Sequence, residues 1–542
     1  MNPHWRRLYG AGVPEEIGPE AGSVVELFRR RAAERPDAPQ LHYFGTTLDR
    51  AGTDRLSDAL AAGLERRGVG SGDRVAVALQ NTPVCVLAVL AVWKLGATVV
   101  PVNPMYKERE LAHLLSDSGS RVLIAHPAAA PAVSALPDAS VPGHVLYTRT
   151  GALAADAAGP WPDEDRPDDV RAILDEGGAP RAAVTPGPDE PALLSYTSGT
   201  TGPAKGAVNT HGNLAYQVAA CRAWIGLDET DSVLTTAPLF HITGLVMHLA
   251  LGLGAGLPLV LTCRFDPRTV AGLTKRYRPT FTIGSITAFI ALLDEPAVRE
   301  RDLGSLTKVL SGGAPVPSAT VRRFADAFGV YIHNAYGLTE TTSAAVAVPL
   351  GTPAPVDEAS GTLAIGVPFP SVRVEIRGEN GEPLPPGEVG ELAIAGPQVA
   401  AGYWRNPDQT RASFPDGTLL TGDVGFMDRE GWVYLVDRKK DMIVAAGYKI
   451  WPREVEDVLY EHPAVREAAV VGVPDPYRGE TVRAHVSLRP GAAATGEELR
   501  EHCRARLAVY KAPAQILVED ELPKSVTGKI LRRELREPDP HP

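Results

Sequence analysis

The chain has 542 residues, of which 44% are hydrophobic and 22% charged, and its formal net charge is −11 at pH 7. This composition is typical of a globular protein, and the length predicts two or more domains. The acidic balance argues against a protein that binds nucleic acid through its phosphates.

The four cysteines, Cys85, Cys221, Cys263 and Cys503, are far apart in the sequence and none forms a Cys-x-x-Cys pair. This spacing predicts neither a disulfide framework nor a zinc knuckle, and it favours a cytoplasmic protein. The N-terminus has no apolar stretch of the kind found in a signal peptide.

The first 125 residues alternate between helical and strand patterns. Apolar periodicity predicts helices at 23–35, 54–67, 83–95 and 106–116, with strands at 74–79, 98–102 and 121–125. This βαβα rhythm is typical of a mostly parallel sheet that is covered by helices. The following segment, 127–190, is rich in Ala, Pro, Gly and Asp and is predicted to be largely a surface excursion.

One apolar stretch, 245–263, is long enough to cross a membrane, but it contains His248, Pro258 and several glycines. We therefore predict a buried helix-turn-strand unit and no transmembrane segment. Further on, short strands and turns over 367–435 predict a small β-rich subdomain. A final α+β domain is predicted to have helices at 452–461 and 496–507 and strands at 467–473 and 483–488.

The predicted fold is therefore α/β. A large N-terminal domain, residues 1–436, comprises layered α/β subdomains and the small β-rich subdomain. The small C-terminal α+β domain comprises residues 437–542.

A phosphate-binding loop is predicted at 196–206, where a strand-like stretch runs into the sequence YTSGTTGPAKG. Glycines let backbone N–H groups turn towards anionic oxygens, while hydroxyls add hydrogen-bond donors and a lysine adds charge. The loop is not a Walker A motif, because Ala204 precedes Lys205 and Gly206 follows it.

Six further motifs follow this loop in order: PLFH (238–241), SGGAP (311–315), NAYGLTE (334–340), TGD (421–423), DRKKD (437–441) and PKSVTGK (523–529). With them, the chain resembles the adenylate-forming superfamily of acyl-CoA synthetases, nonribosomal peptide adenylation domains and firefly-type luciferases over nearly its whole length. It looks most like the fatty-acid-type ligases. One departure is Ala204, where the family often has proline, and this change removes no donor from the loop.

The resemblance implies a nucleotide site in which the Asp423 carboxylate accepts hydrogen bonds from the ribose hydroxyls. Arg438 would contact the nucleotide from the domain junction. The full set of implied nucleotide-binding residues is Thr197, Ser198, Gly199, Thr200, Thr201, Gly202, Lys205, Gly313, Ala314, Asn334, Ala335, Tyr336, Gly337, Asp423 and Arg438.

Four residues are implied in catalysis. Lys529 would stabilise the charge that gathers when a carboxylate attacks the α-phosphorus of ATP, Glu340 would bind Mg²⁺, and Thr339 would lie near the α-phosphate. His241 would position the substrate and gate its entry. It is not expected to be a general base, because a carboxylic acid is already ionised at neutral pH.

The resemblance also implies a mobile C-terminal domain that rotates about Lys440. One orientation would bring Lys529 to the phosphates, and the other would bring the thiol-side loop, Ala446, Gly447 and Tyr448, to the site. The acyl pocket is predicted to draw on Trp224, His241, Gly284, Gly312 and Thr341.

These features predict an ATP-dependent, Mg²⁺-dependent acyl-CoA ligase with CoA as its second substrate. One alternative is an adenylating enzyme that passes acyl-AMP to a separate carrier protein. A luciferase-type oxidoreductase and a non-catalytic nucleotide-binding relative are weaker alternatives. The sequence does not separate a fatty acid from an aryl, terpenoid or polyketide acid, and it leaves a homodimer open.

Overall fold

Apolar strands that alternate with amphipathic helices build most of the fold in the computed structural model, which describes residues 4–155, 168–197, 204–357, 362–438, 441–445, 448–525 and 528–536. Its strands are β1 (Pro39–Tyr43), β2 (Thr46–Asp49), β3 (Arg74–Ala78), β4 (Thr98–Pro101), β5 (Val122–Ala125), β6 (His144–Tyr147), β7 (Pro191–Thr197), β8 (Lys205–Thr210), β9 (Val233–Thr235), β10 (Leu259–Leu261), β11 (Phe281–Gly284), β12 (Lys308–Gly312), β13 (Ile332–Leu338), β14 (Ser343–Ala347), β15 (Val367–Pro368), β16 (Arg373–Arg377), β17 (Gly390–Ala395), β18 (Leu419–Met427), β19 (Val433–Arg438), β20 (Ile443–Ala445), β21 (Tyr448–Ile450), β22 (Val465–Asp475), β23 (Gly479–Leu488) and β24 (Gln515–Glu519).

The helices surround these strands. They are α1 (Val24–Glu34), α2 (Arg50–Glu65), α3 (Pro83–Lys94), α4 (Glu108–Ser118), α5 (Ala130–Ser134), α6 (Asp169–Glu176), α7 (His211–Ile225), α8 (Ile242–Gly244), α9 (Leu251–Ala255), α10 (Pro267–Tyr277), α11 (Ile286–Asp294), α12 (Glu300–Leu303), α13 (Ser318–Phe328), α14 (Pro407–Ser413), α15 (Pro452–Glu461), α16 (Gly496–Arg504) and α17 (Arg532–Leu535).

The first predicted sheet is confirmed. It has six strands in the order β6-β5-β3-β4-β7-β8, and all neighbours are parallel except β7 and β8. Its central strands β3, β4 and β5 are buried on both faces, as their apolar runs require. Helix α3 is buried along its whole length because it is apolar all round, and the Thr82 hydroxyl caps its first turn.

A second sheet has nine strands in the order β15-β14-β13-β12-β11-β9-β10-β1-β2. The strands from β13 to β1 run parallel, so their carboxyl ends share one edge. Residues 245–263 form the predicted buried unit next to this sheet. Helix α8 precedes this unit and continues directly into a π-helical stretch (Leu245–Ala250). Helix α9 follows that stretch and leads into β10.

The predicted β-rich subdomain is a four-stranded antiparallel sheet, β16-β17-β18-β19. The C-terminal α+β region is a five-stranded sheet, β21-β20-β23-β22 with β24 beside β23, and α15 and α16 accompany it. The domain division at 436/437 stays a prediction. It falls within β19, whose last residues pair with Asp423 and Val424 of β18.

The segment 127–190 is only partly the predicted surface excursion. Strand β6 joins the edge of the first sheet, and α6 packs Val170, Ile173 and Leu174 into the core. Within the part of the chain that is described, no helix is long and apolar enough to cross a membrane.

Candidate active site

The carboxyl edge of the nine-stranded sheet gathers several predicted site residues. Register pairs Gly284 of β11 with Ser311 of β12, and Gly312 with Ala335 of β13. Gly313 and Ala314 follow β12 directly, and His241 lies six residues after β9. The carboxyl ends of strands in an open parallel sheet are where ligands bind in α/β proteins.

A tight turn at the end of β13 presents Thr339 and Glu340. Gly337 is required before this turn, because a Cβ at that position would lie 1.7 Å from the Ser343 carbonyl oxygen. The Asn209 side-chain amide of β8 donates to the Thr339 carbonyl and to the Thr342 hydroxyl, both at 2.9 Å. These bonds fix the turn to the strand that begins with Lys205.

The carboxylate of Asp423 lies where β18 and β19 pair, and it is only 3% exposed. The Tyr336 hydroxyl donates to its Oδ2 at 2.7 Å, and Arg438 Nε lies 3.2 Å from its Oδ1. Burial raises the pKa of Asp423, while Arg438 and then the Tyr336 hydrogen bond oppose that shift. Three of the predicted nucleotide-binding residues are therefore joined in one cluster.

Lys529 of the C-terminal region lies close enough to this cluster to interact with it. Burial, and then the neighbouring Arg438 guanidinium, lower the pKa of the Lys529 ammonium to about 8, against the opposite effect of Asp423. Burial, and then the Lys529 charge, lower the pKa of His241 to about 4. Lys529 is thus within electrostatic reach of both the predicted ribose carboxylate and His241.

The loop that carries Lys529 is seated on the N-terminal domain through Gly528. A Cβ on Gly528 would lie 2.1 Å from the Thr287 hydroxyl and 3.0 Å from that of Ser285, and its φ of 82° is in the left-handed region. The Lys529 loop is therefore in contact with the N-terminal domain, as the predicted adenylation orientation would require, and that orientation stays a prediction.

The base of the predicted phosphate loop is a strand pair in which Thr197 of β7 faces Lys205 of β8. Ser198, Gly199, Thr200, Thr201 and Gly202 lie outside the described residues. Lys205 Nζ lies 5.5 Å from the ring centroid of Tyr403. The hydroxyl of the same tyrosine donates to Glu340 Oε1 at 2.8 Å.

Two contributors to the site were missed by the sequence reasoning. Tyr403 is 63 positions from Glu340, and nothing in its neighbourhood marks it as a site residue. Arg532, three residues after Lys529, bonds Asp437 at 2.8 Å and Glu456 at 2.7 Å. The sequence shows that Arg532 is close to the predicted catalytic lysine. It does not show that Arg532 pairs with Asp437 and Glu456.

Two of the predicted acyl-pocket residues, Trp224 and Thr341, make contacts within the protein. Trp224 packs against Tyr9 and Phe369 in the main hydrophobic core, and these contacts favour a structural role over a place in the acyl pocket. The buried Thr341 hydroxyl is used within its own turn, where it donates to the Ser343 carbonyl at 2.7 Å.

The thiol-side loop and the hinge are only partly described. Tyr448 is 55% exposed and stacks on Tyr510, with ring centroids 4.5 Å apart. Lys440, Ala446 and Gly447 lie outside the described residues, so their predicted roles stay predictions.

The residues present fit a magnesium ion that arrives with a nucleotide. The described ranges contain no group of three or more His, Cys, Asp or Glu side chains that could hold a metal by themselves. Glu340 supplies one half-buried carboxylate next to Thr339 in the chain, and Tyr403 contacts both it and Lys205. Mg²⁺ characteristically takes one or two carboxylates and completes its shell with phosphate oxygens and water.

Residues 28–404 match the family model described as AMP-binding enzyme, and residues 454–529 match the AMP-binding enzyme C-terminal domain. A long-chain-fatty-acid–CoA ligase of Bacillus subtilis is 36% identical, with 98% of this chain and 97% of that protein covered. A feruloyl-CoA synthase of an Amycolatopsis species is 39% identical, with 94% and 97% covered.

Among solved structures, ATP-bound MatB from Rhodopseudomonas palustris superposes with a TM-score of 0.84 at 27% identity, over 94% of this chain and 98% of that one. The structural match therefore covers nearly the whole chain. The chain belongs to the AMP-binding family of adenylate-forming enzymes and is an AMP-forming acid–thiol ligase that uses ATP and CoA.

Proposed function

We propose that this ligase activates an apolar carboxylic acid and that Lys529 stabilises the transition state of the adenylation step. The observation that carries the proposal is that the loop of Lys529 packs, through Gly528, against Thr287 of the N-terminal domain. Lys529 is there within electrostatic reach of the Asp423–Arg438 pair and of His241. A carboxylate oxygen attacks the α-phosphorus, the α–β phosphoanhydride bond breaks, and pyrophosphate leaves. A lysine ammonium at this point offsets the charge that accumulates on the carboxylate and the equatorial phosphate oxygens.

The nucleotide is proposed to lie along the carboxyl edge of the nine-stranded sheet. Asp423, supported by Tyr336 and Arg438, would accept hydrogen bonds from the ribose, and Lys205 would neutralise the phosphates. Glu340 and Thr339 would hold Mg²⁺ and the α-phosphate. Mg²⁺, when bound, would supply positive charge that offsets the charge of the phosphates.

His241 is proposed to orient the acid. Because its pKa is lowered to about 4, the imidazole is neutral at pH 7. Its Nδ1 accepts a hydrogen bond from the Thr243 backbone N–H at 3.4 Å, so the ring proton is on Nε2. A neutral N–H donor can hold a carboxylate without taking a proton from it.

The class of acid is proposed from the walls of the predicted acyl pocket. Gly284 lies against Thr236 and the Phe289 ring, and Phe289 belongs to an apolar cluster that includes Phe324 and Leu303. These walls favour an apolar acid. A long-chain fatty acid is the first candidate, by analogy with the Bacillus subtilis relative. A hydroxycinnamic acid is the second, by analogy with the Amycolatopsis relative.

The second half-reaction is proposed to follow rotation about Lys440, which would bring Ala446, Gly447 and Tyr448 to the site. The CoA thiolate then attacks the acyl carbon, and AMP leaves. CoA is preferred to a separate carrier protein as acceptor because the relatives are named as CoA ligases.

We further propose a cytoplasmic location, since all four thiols are buried without a disulfide. We also propose a homodimer, which light scattering would test.

The test is an assay of pyrophosphate release with palmitate, ferulate, benzoate and a dicarboxylate, with and without CoA, followed by mass spectrometry of the products. Acyl-CoA and AMP from palmitate or ferulate are expected. Turnover with the dicarboxylate alone would overturn the apolar pocket, and acyl-AMP that never reaches CoA would overturn the choice of acceptor.

A further inference from the structure

Tyr403 occupies a position between two residues of opposite charge in the proposed site. Its hydroxyl donates to Glu340 Oε1 at 2.8 Å, and its ring centroid lies 5.5 Å from Lys205 Nζ. Glu340 belongs to the turn after β13, whereas Lys205 begins β8, so a single side chain joins the two elements.

Tyr403 is itself held from several directions. Its backbone pairs with Ala207 of β8, and its backbone N–H donates to the Thr410 hydroxyl at 2.9 Å. Its ring meets Phe414 edge-on, with ring centroids 5.4 Å apart. The Ala400 N–H donates to the Glu340 carbonyl at 2.8 Å, so the backbone of the same loop also holds Glu340. A side chain so restrained can impose its geometry on a partner.

We infer that Tyr403 is a positioning residue for the nucleotide-bound magnesium ion: it orients the Glu340 carboxylate by one hydrogen bond and keeps the Lys205 ammonium apart from it by its ring. Without the ring, the lysine and the glutamate of neighbouring elements would be free to pair with each other. This inference rests on the metal-binding role proposed for Glu340.

The charge balance supports this arrangement. Lys205 and Glu340 each have to act on the polyphosphate, the lysine directly and the glutamate through Mg²⁺, and a direct ion pair would occupy both. A phenol satisfies the carboxylate without adding charge, and a π face attracts an ammonium without hydrogen-bonding it. A tyrosine phenol is protonated at physiological pH, so it can donate this hydrogen bond.

The test is calorimetric titration of the full-length protein with ATP, once with Mg²⁺ and once with EDTA. Tyr403→Phe removes the hydroxyl and keeps the ring. It is expected to weaken MgATP binding by about tenfold, the usual effect of losing a hydrogen bond to a charged group, and to leave metal-free ATP binding unchanged. Tyr403→Leu also removes the ring and is expected to weaken metal-free ATP binding as well.

Tyr434→Phe is the matched control. Tyr434 also donates to a carboxylate, that of Asp428 at 3.3 Å, in a turn outside the proposed site. Both titrations should match the wild type in this variant, and thermal unfolding of Tyr403→Phe should stay close to that of Tyr434→Phe.

Three outcomes would overturn the inference. Equal losses with Mg²⁺ and with EDTA in Tyr403→Phe would leave Tyr403 a structural residue of the phosphate loop. An unchanged MgATP affinity would remove any role for the hydroxyl. A wild-type protein that binds ATP equally with and without Mg²⁺ would overturn the Glu340 role as well. Failure of acid-dependent turnover beside intact Mg²⁺-linked ATP binding would instead contradict only the proposed function.

Discussion

At the scale of single residues, the role proposed for Lys529 predicts different effects on the two half-reactions. Lys529→Ala is expected to lower the rate of pyrophosphate release by about 10²–10³-fold, because a positioned charge at the transition state is lost. Conversion of supplied acyl-AMP to acyl-CoA should continue, since that step does not need this charge. Stopped-flow pyrophosphate release and a separate thioester assay measure the two rates. Equal losses in both would contradict the assignment.

The pH dependence of adenylation follows from the same residue. Lys529 acts as a cation, and its pKa is about 8 in the free enzyme. The ammonium is therefore present below pH 8 and is lost as the pH rises through that value, so kcat/KM for the acid should fall on the alkaline side. In Lys529→Arg the guanidinium stays charged, and any remaining activity should lose this alkaline limb. A limb that persists in the arginine variant would belong to another group.

At the scale of elements, the arginines of α17 allow a matched comparison. Arg532 is largely buried and bonds Asp437 and Glu456, whereas the neighbouring Arg533 is 70% exposed. Arg532→Met should lower the free energy of unfolding by about 3 kcal/mol, because two buried carboxylates lose their cation. Arg533→Met should change it by less than about 0.5 kcal/mol. Urea unfolding curves measure both, and equal effects would show that the cluster does not stabilise the fold.

The sequence was most informative about elements and least about their ends. Helix α3 agrees with its prediction because Thr82 and Pro83 mark its start. Helix α2 begins four residues earlier than predicted, since the Asp49 carboxylate caps it by accepting from the Gly52 N–H. Strand β23 begins at Gly479, before its apolar run, because the pairing with β22 extends past it.

Residues of the site could be predicted only where they belong to a recognised sequence motif. Asp423, Arg438, Tyr336 and Lys529 come from four separate motifs, and their meeting is consistent with the resemblance. Tyr403 and Glu456 belong to none of those motifs. Their contacts depend on how distant loops pack, which local sequence patterns do not encode.

At the scale of the whole molecule, an ion pair joins the two domains. Arg466 of β22 lies 3.0 Å from the Asp294 carboxylate at the end of α11. Arg466→Ala is expected to slow adenylation by about threefold, as a partly exposed pair contributes up to about 1 kcal/mol, and to leave thioester formation unchanged or faster. The two half-reactions, measured separately, test this expectation.

A neighbouring pair provides the control. Arg268 lies 3.1 Å from Glu295, which follows Asp294 in the sequence. Both members of this pair are in the N-terminal domain. Arg268→Ala should affect neither half-reaction. Slowing of both half-reactions by Arg466→Ala would show that the interdomain pair does not select between the two orientations. The sequence predicted the order of the domains. It did not indicate the contacts between them, such as the Arg466–Asp294 ion pair.

The burial of the four cysteines limits acylation of the enzyme by its own intermediate. An acyl-adenylate is a mixed anhydride, and it acylates any thiolate that reaches it. All four thiols are buried, and burial raises the pKa of Cys85 and of Cys503 to about 12. The protein therefore exposes no sulfur nucleophile to its reactive intermediate, and it can retain acyl-AMP until CoA arrives without labelling its own cysteines.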